Sequence, residues 1–257
     1  MPNDQFNIQT WGEDETSDAY AKLTEVHTHH RWVNMYGSLK HLGDVADKRV
    51  LDLPSGEGKY TLQVLGRGAA QVTSVDLAAK MIELTAGRLT AAQRLRWHGV
   101  VADASVVTAY ADRPFDASLS NFIFEYCADE AALRRVAANL YLNLAPGGHC
   151  VITHAPGAEL PEDRAHVIAT VNIHAAELTP ATRPGDLIKI RYPNSNLEYE
   201  WYYWPTDAIA QALTAAGFAD VRVHRVELDP AYQGELDLAR FAAHTGNRHI
   251  TATKPTA

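Results

Sequence analysis

The chain has 257 residues, with 23 Lys and Arg against 31 Asp and Glu, a formal net charge of −8 and 46% hydrophobic residues. That length suits one elaborated α/β domain, and the acidic balance argues against a surface built to neutralise nucleic-acid phosphates. Its two cysteines, Cys127 and Cys150, lie in apolar stretches with no C-x-x-C spacing, and no apolar run approaches the ~18 residues of a membrane span. Neither a disulfide framework nor a zinc site is expected, and a reduced cytoplasmic setting without export signal or anchor fits best.

Residues 1 to 16 are polar, with Phe6 and Trp11 interspersed, and read as an arm or lid. Ser17 or Asp18 caps a helical stretch carrying Tyr20, Leu23, Val26, Trp32, Val33, Tyr36 and Leu39 and ending near Gly43. Within it, HTHHR (27–31) sets His27 and His30 on one helical face. No carboxylate pair stands at ligand spacing, so these histidines are expected at the surface or lining a pocket, not on a metal.

From Val50 the pattern is regular. RVLDLPSGEGKYT (49–61) reads as a buried strand ending at Asp52, a glycine turn and a helix start; QVTSVD (71–76), LRWHGVVAD (95–103), FDASLSNF (115–122) and HCVITHA (149–155) are four more strands. Helical spacing occupies 59–65, 78–90 and 129–144, and Ala145-Pro146-Gly147-Gly148 reads as an abrupt helix stop. Alternating strand and helix with short connections predicts a parallel sheet covered on both faces. Residues 156–204 break the alternation and are rich in Pro, His and aromatics, with strand-like or pocket-lining character at 187–192 and 199–204. PTDAIAQALTAAGF is a helix stopped by Gly217, and 219–228 and 248–255 read as an antiparallel strand pair.

Three successive strands close on an acid: Asp52 beside G-x-G, then Asp76, then Asp103. One such acid is an ordinary turn residue, whereas three in this order fit a nucleoside site, with Asp76 where a ribose is held. The loop has Thr61 where a dinucleotide fingerprint has its last glycine, and G-K-Y where a phosphate-gripping loop has G-K-[ST]. Glu57 makes the loop acidic. These features fit a ligand with an amino group and no phosphate.

In these motifs the chain resembles the class I S-adenosylmethionine-dependent methyltransferases, from about Arg49 to Thr153 and again over the C-terminal helix and strand pair. VLDLPSGEGKYT resembles the family's first motif, with Pro54 and Ser55 in place of commoner residues; SVDLAAKMIEL, VVADAS, LSNFIFEY and LNLAPGGHCVIT resemble the segments that follow. The resemblance implies a Rossmann-like seven-stranded sheet with helices on both faces and an N-terminal helical lid. It implies a lid over 1–45, a cofactor core over 46–155, an acceptor-pocket insert over 156–204, and a C-terminal helix and strand pair over 205–257. It implies S-adenosyl-L-methionine as cofactor, with Asp52, Pro54, Ser55, Gly56 and Gly58 at its methionine end and Asp76 on its ribose. Leu77, Met81, Asp103 and Ala104 are then expected around the adenine, and Asn121, Phe122 and Tyr20 on the methionine side.

The acceptor pocket is expected over the carboxyl edge of the sheet, where Tyr36, Tyr126, Tyr192, Trp201 and Tyr203 supply aromatic surface for a flat small molecule. Glu125, after the fourth strand, and His154, at the end of the fifth, are the candidate bases. The expected activity is C- or N-methylation of an indole-like or azapteridine-like ring in bacterial specialised metabolism, by a monomer or homodimer acting on neither nucleic acid nor membrane. O-methylation, a non-catalytic cofactor-binding protein and a nicotinamide oxidoreductase are the alternatives, the last disfavoured by Thr61.

Overall fold

The computed structural model describes residues 16, 28–156, 177–179, 181–192 and 197–256. Tyr20, like most of the N-terminal stretch, lies outside them. A π-form helical turn, His30–Met35, runs into α1, Tyr36–Leu42, which ends at Gly43 with φ +71°. Then come β1 (Arg49–Asp52), α2 (Lys59–Gly66), β2 (Gln71–Asp76), α3 (Ala79–Arg88), α4 (Ala91–Arg94), β3 (Trp97–Val101) and β4 (Phe115–Asn121). A 3-10 turn, Phe124–Tyr126, leads to α5 (Glu130–Asn143) and β5 (Leu144–His154). The chain continues with β6 (Glu177–Leu178), β7 (Leu187–Tyr192), β8 (Leu197–Tyr202), α6 (Thr206–Ala215), β9 (Ala219–Arg225), α7 (Leu238–His244) and β10 (Arg248–Thr253).

Seven strands form one sheet in the order β3-β2-β1-β4-β5-β10-β9. β1 to β5 are parallel and β10 pairs antiparallel with β9, as the sequence pattern predicts; β10 also runs antiparallel to β5. Successive residues of β1 and β5 feed opposite faces, as the period of two requires. Leu51 and Ile152 pack with Leu133, Leu140, Ile209 and Leu213 beneath α5 and α6. Val50 and Val151 pack with Leu39, Leu42, Val64 and Leu65 beneath α1 and α2.

Two differences from the sequence pattern have local causes. The Ala145–Gly148 segment, read as a helix stop ahead of a strand at 149, already belongs to β5; it pairs Leu144 with Phe115 before the register shifts. Gly148 is required there, because a Cβ would lie 2.9–3.2 Å from three backbone oxygens. The aromatic insert contains a separate three-stranded antiparallel sheet, β6-β7-β8, in which the 187–192 and 199–204 runs find their partners.

α1 lies close on β10: a Cβ on Gly37 would fall 2.1 Å from His249 Nε2. Beneath the helix, Ser38, Asn121 and Thr153 share short hydrogen bonds, and His249 Nδ1 reaches Thr153 Oγ1 at 3.2 Å. Burial pushes the His249 imidazole down to about 3, so it stays neutral in this layer.

Candidate active site

β1 delivers Asp52, wholly buried, to the underside of the glycine loop. Its Oδ2 accepts from Thr61 Oγ1 at 2.7 Å; Ser74 Oγ lies 2.6 Å from Thr61 Oγ1 and accepts from Trp97 Nε1 at 2.8 Å. The chain of hydroxyls is satisfied when Trp97 donates to Ser74, Ser74 to Thr61 and Thr61 to Asp52. Thr61, seen in the sequence only as a missing glycine, is thus a partner of the strand-ending acid. Asp52 Oδ1 and Ser55 Oγ are buried without a hydrogen-bond partner among the described residues.

The loop itself crosses from β1 to α2 through Gly56 at φ +50° and Gly58 at φ +81°, a region that favours glycine. Gly58 is pressed on α3, where a Cβ would lie 2.5 Å from the Thr85 side chain. Gly56 differs: a Cβ there would meet nothing within 4 Å, so its surroundings form an open cradle. Ser55 N donates to Val75 O at 2.9 Å, tying the loop to β2, while Pro54 brings no donor.

Asp76, at the end of β2, has its carboxylate turned towards this loop. Oδ2 accepts from Gly56 N at 2.9 Å and Oδ1 from Ala78 N at 3.0 Å. The sequence reading gives Asp76 to a ribose; the structure shows it first as a brace for the loop, its carboxylate held by backbone amides. Leu77 beside it is exposed and Met81 buried. Asp103 stands two residues beyond β3 instead of closing it; it is half-buried, with Oδ1 accepting from Ser105 N at 2.7 Å, and Ala104 is buried next to it. The acidity read at Glu57 is not offered to a ligand in the way expected, because its carboxylate is buried and pairs with Lys59 Nζ at 3.0 Å.

At the end of β4, Asn121 Oδ1 is engaged by Ser38 and Thr153, and Phe122 sits in the left-handed region at φ +58°. A bulky residue held there costs on the order of 1–3 kcal/mol and marks a position over-determined by its surroundings. Phe122 N donates to Thr153 O at 2.8 Å, which fixes the turn.

Glu125 and His154, read as candidate bases, prove to be partners of each other. His154 Nδ1 meets Glu125 Oε1 at 2.8 Å, and its Nε2 meets the Trp204 carbonyl at 2.9 Å. Both ring nitrogens therefore have an oxygen partner. Glu125 Oε1 also accepts from Ala155 N at 2.6 Å, while Oε2 is buried without a partner among the described residues. Trp204 in turn donates from Nε1 to Cys127 O at 2.8 Å. The pair is a strut that fastens the end of β8 to the ends of β4 and β5, with both ring nitrogens already committed.

The small sheet packs by β8 on the 3-10 turn, beside the carboxyl edge of β4. Along β8 and the two residues that follow it, Tyr202 and then Trp204 enter the core, whereas Trp201 and Tyr203 alternate to the other face and stay half-buried; Trp201 lies 5.6 Å from Tyr199, ring centre to ring centre. Tyr36 and Tyr126 are also half-buried, and Tyr192 ends β7. No group of three or more His, Cys, Asp or Glu among the described residues could hold a metal.

Strand order, the acid-and-glycine cradle at the β1 edge and the brace from β2 define an α/β protein whose crevice outside the carboxyl ends of the strands suits a nucleoside-bearing ligand. The open space at Gly56 and the buried unpartnered oxygens of Asp52 and Ser55 suit a ligand bearing an amino acid group. Residues 50–148 match the family model described as a methyltransferase domain. A demethylmenaquinone methyltransferase of Tropheryma whipplei is 25% identical over 224 residues, 86% of this chain and 84% of that protein. A malonyl-[acyl-carrier protein] O-methyltransferase of Methylococcus capsulatus is 25% identical over 223 residues, 86% of this chain and 70% of that protein. The crystal structure of an S-adenosylmethionine-dependent methyltransferase from Clostridium acetobutylicum shares the fold with a TM-score of 0.62 at 13% identity, covering 92% of this chain and 99% of that one. The chain carries a methyltransferase domain over residues 50–148, and its activity is S-adenosylmethionine-dependent methyl transfer, with S-adenosylmethionine as cofactor.

Proposed function

We propose that the enzyme methylates a ring carbon or nitrogen of a small aromatic or heteroaromatic acceptor, indole-like or azapteridine-like, in cytoplasmic specialised metabolism. The observation that supports this reading is the β6-β7-β8 sheet, which packs by β8 on the 3-10 turn after β4 and carries Tyr199, Trp201 and, just past β8, Tyr203 on the face opposite Tyr202 and Trp204. Flat aromatic surface at that edge suits a flat acceptor better than an extended chain. The demethylmenaquinone methyltransferase among the relatives supports a ring acceptor. O-methylation is the second reading, favoured by the malonyl-[acyl-carrier protein] O-methyltransferase matched over an equal share of the chain.

In this reading the peptide groups of Ser55, Gly56 and Gly58, above Asp52 and Pro54, hold the methionine end; Asp76 meets the ribose, and Leu77, Met81, Asp103 and Ala104 surround the adenine. Asn121 and Phe122 separate that end from the acceptor, and Tyr36, Tyr126, Tyr192, Trp201 and Tyr203 enclose it. The bound cofactor supplies an electrophilic methyl group on a cationic sulfonium. The chain's own work is alignment and exclusion of water, which are worth orders of magnitude in an in-line displacement. Mass spectrometry of an acceptor panel of indoles, phenols and pteridine-like rings tests the reading: a gain of one methyl on a ring carbon or nitrogen is expected. Methylation confined to carboxylates or phenols would overturn it.

Burial also makes cofactor binding depend on pH. Desolvation raises the Asp52 carboxyl to about 7, against the hydrogen bond from Thr61 that lowers it. Desolvation raises Asp76 to about 6, against the amides of Ala78 and Gly56. Between about pH 4 and 7 the folded, ligand-free chain therefore keeps protons that the unfolded chain has lost, and its stability falls as pH rises. A cationic ligand beside these groups favours their ionised forms. Binding of S-adenosylmethionine should release protons and tighten from pH 5.5 to 7.5, which calorimetry in buffers of different ionisation enthalpy reads directly. Flat affinity with no proton release would contradict it.

A further inference from the structure

We propose that His30 is a catalytic residue of this site, the group that takes the proton an acceptor gives up as it is methylated. This rests on the functional reading above. The winding of the sheet reverses between β1 and β4, and the crevice outside the carboxyl ends at such a reversal is where open α/β sheets hold ligands. Tyr60, in the first turn of α2, stands on the β1 side of that crevice; Phe122, directly after β4, stands on the other. The His30 ring centre lies 6.1 Å from that of Tyr60, edge-on, and 5.6 Å from that of Phe122. One half-buried imidazole therefore touches both rims.

The backbone at this contact is unusual on both partners. His30 opens the π-form turn, a helical form that recurs at functional sites, and Phe122 is the residue held at φ +58°. The cradle and its brace, Gly56 and Asp76, occupy the β1 and β2 side. The β4 side is left for the acceptor, and His30 lies at the boundary between them.

Imidazole suits the role, because its ordinary titration range lets the neutral ring accept a proton near neutrality. In the step, the acceptor's electron pair forms the new bond to the methyl carbon. The carbon–sulfur bond breaks with its pair left on sulfur, and the acceptor's N–H or ring C–H proton passes to a His30 nitrogen and then to water. Tyr60 is the titratable group that faces the ring from α2; Asn121 and Phe122 bring none from β4, and His29 and Arg31 flank it on its own segment.

The test needs no known acceptor. The His30 imidazole is titrated by NMR in the full-length protein, its resonance assigned by its loss in His30→Gln, or in His30→Asn should the first variant not fold. One titration uses saturating S-adenosylhomocysteine, which is neutral at sulfur, and the other uses sinefungin, whose side-chain amine places a cation near the methyl position. A cation about 6 Å away depresses an imidazole by on the order of one pH unit in a partly solvated site, so the sinefungin midpoint should be lower by about that much. Equal midpoints with both ligands bound overturn the role of His30 and leave the cofactor assignment intact. Failure of both ligands to bind overturns the functional reading and this proposal with it.

Discussion

Replacing His154 by Ala should destabilise the enzyme by about 3–5 kcal/mol, because it leaves a buried Glu125 carboxylate with the Ala155 amide as its one remaining partner among those described. The Trp204 carbonyl loses its imidazole donor in the same change, so β8 and the small sheet lose their tie to the ends of β4 and β5. Urea unfolding of the purified variant reads the loss. A residue acting as a base would give the opposite pattern, with stability kept and turnover abolished. Glu125→Gln, which keeps an acceptor for His154 but removes the charge, should be milder than His154→Ala. Equal stability of both variants and the parent would mean that the strut contributes nothing to the fold.

Gly56→Ala should separate binding from folding in the other direction. The added Cβ meets no protein atom within 4 Å, so the fold bears only the strain of φ +50°, about 1 kcal/mol. The same methyl projects into the space where the methionine end of the cofactor is proposed to lie. Affinity for S-adenosylhomocysteine should fall by roughly 100-fold, equivalent to about 2.8 kcal/mol. Gly58→Ala makes the useful contrast, since its Cβ would strike Thr85 and the damage there should appear as lost stability.

The parts of this enzyme that were legible in the sequence are those whose cause is local. Apolar runs closing on Asp52 and Asp76, with glycines after the first, declare two strands and a ligand-binding turn between Arg49 and Asp76. The antiparallel pairing of 219–225 with 248–253 followed from two apolar runs joined by a helical piece. What was not legible depends on neighbours that the sheet creates. Thr61 looked like a defect in a glycine pattern, yet its hydroxyl serves Asp52, nine positions away, and Ser74 on the adjacent strand. Glu57 read as an acid for a ligand because its pairing with Lys59 depends on how the loop turns. Glu125 and His154 are 29 residues apart and meet only because β4 and β5 lie side by side. His30 was one of three histidines in a polar run, and its place across the β1–β4 crevice required the contacts with Tyr60 and Phe122.

The central claim is that the Asp52–Gly58 turn, braced by Asp76, holds the methionine end of S-adenosylmethionine. Titration calorimetry of the unmodified protein with S-adenosylhomocysteine and, separately, with NADH tests it most directly. One molecule of S-adenosylhomocysteine should bind per chain, with no heat from NADH; binding of NADH with none of S-adenosylhomocysteine would contradict the account.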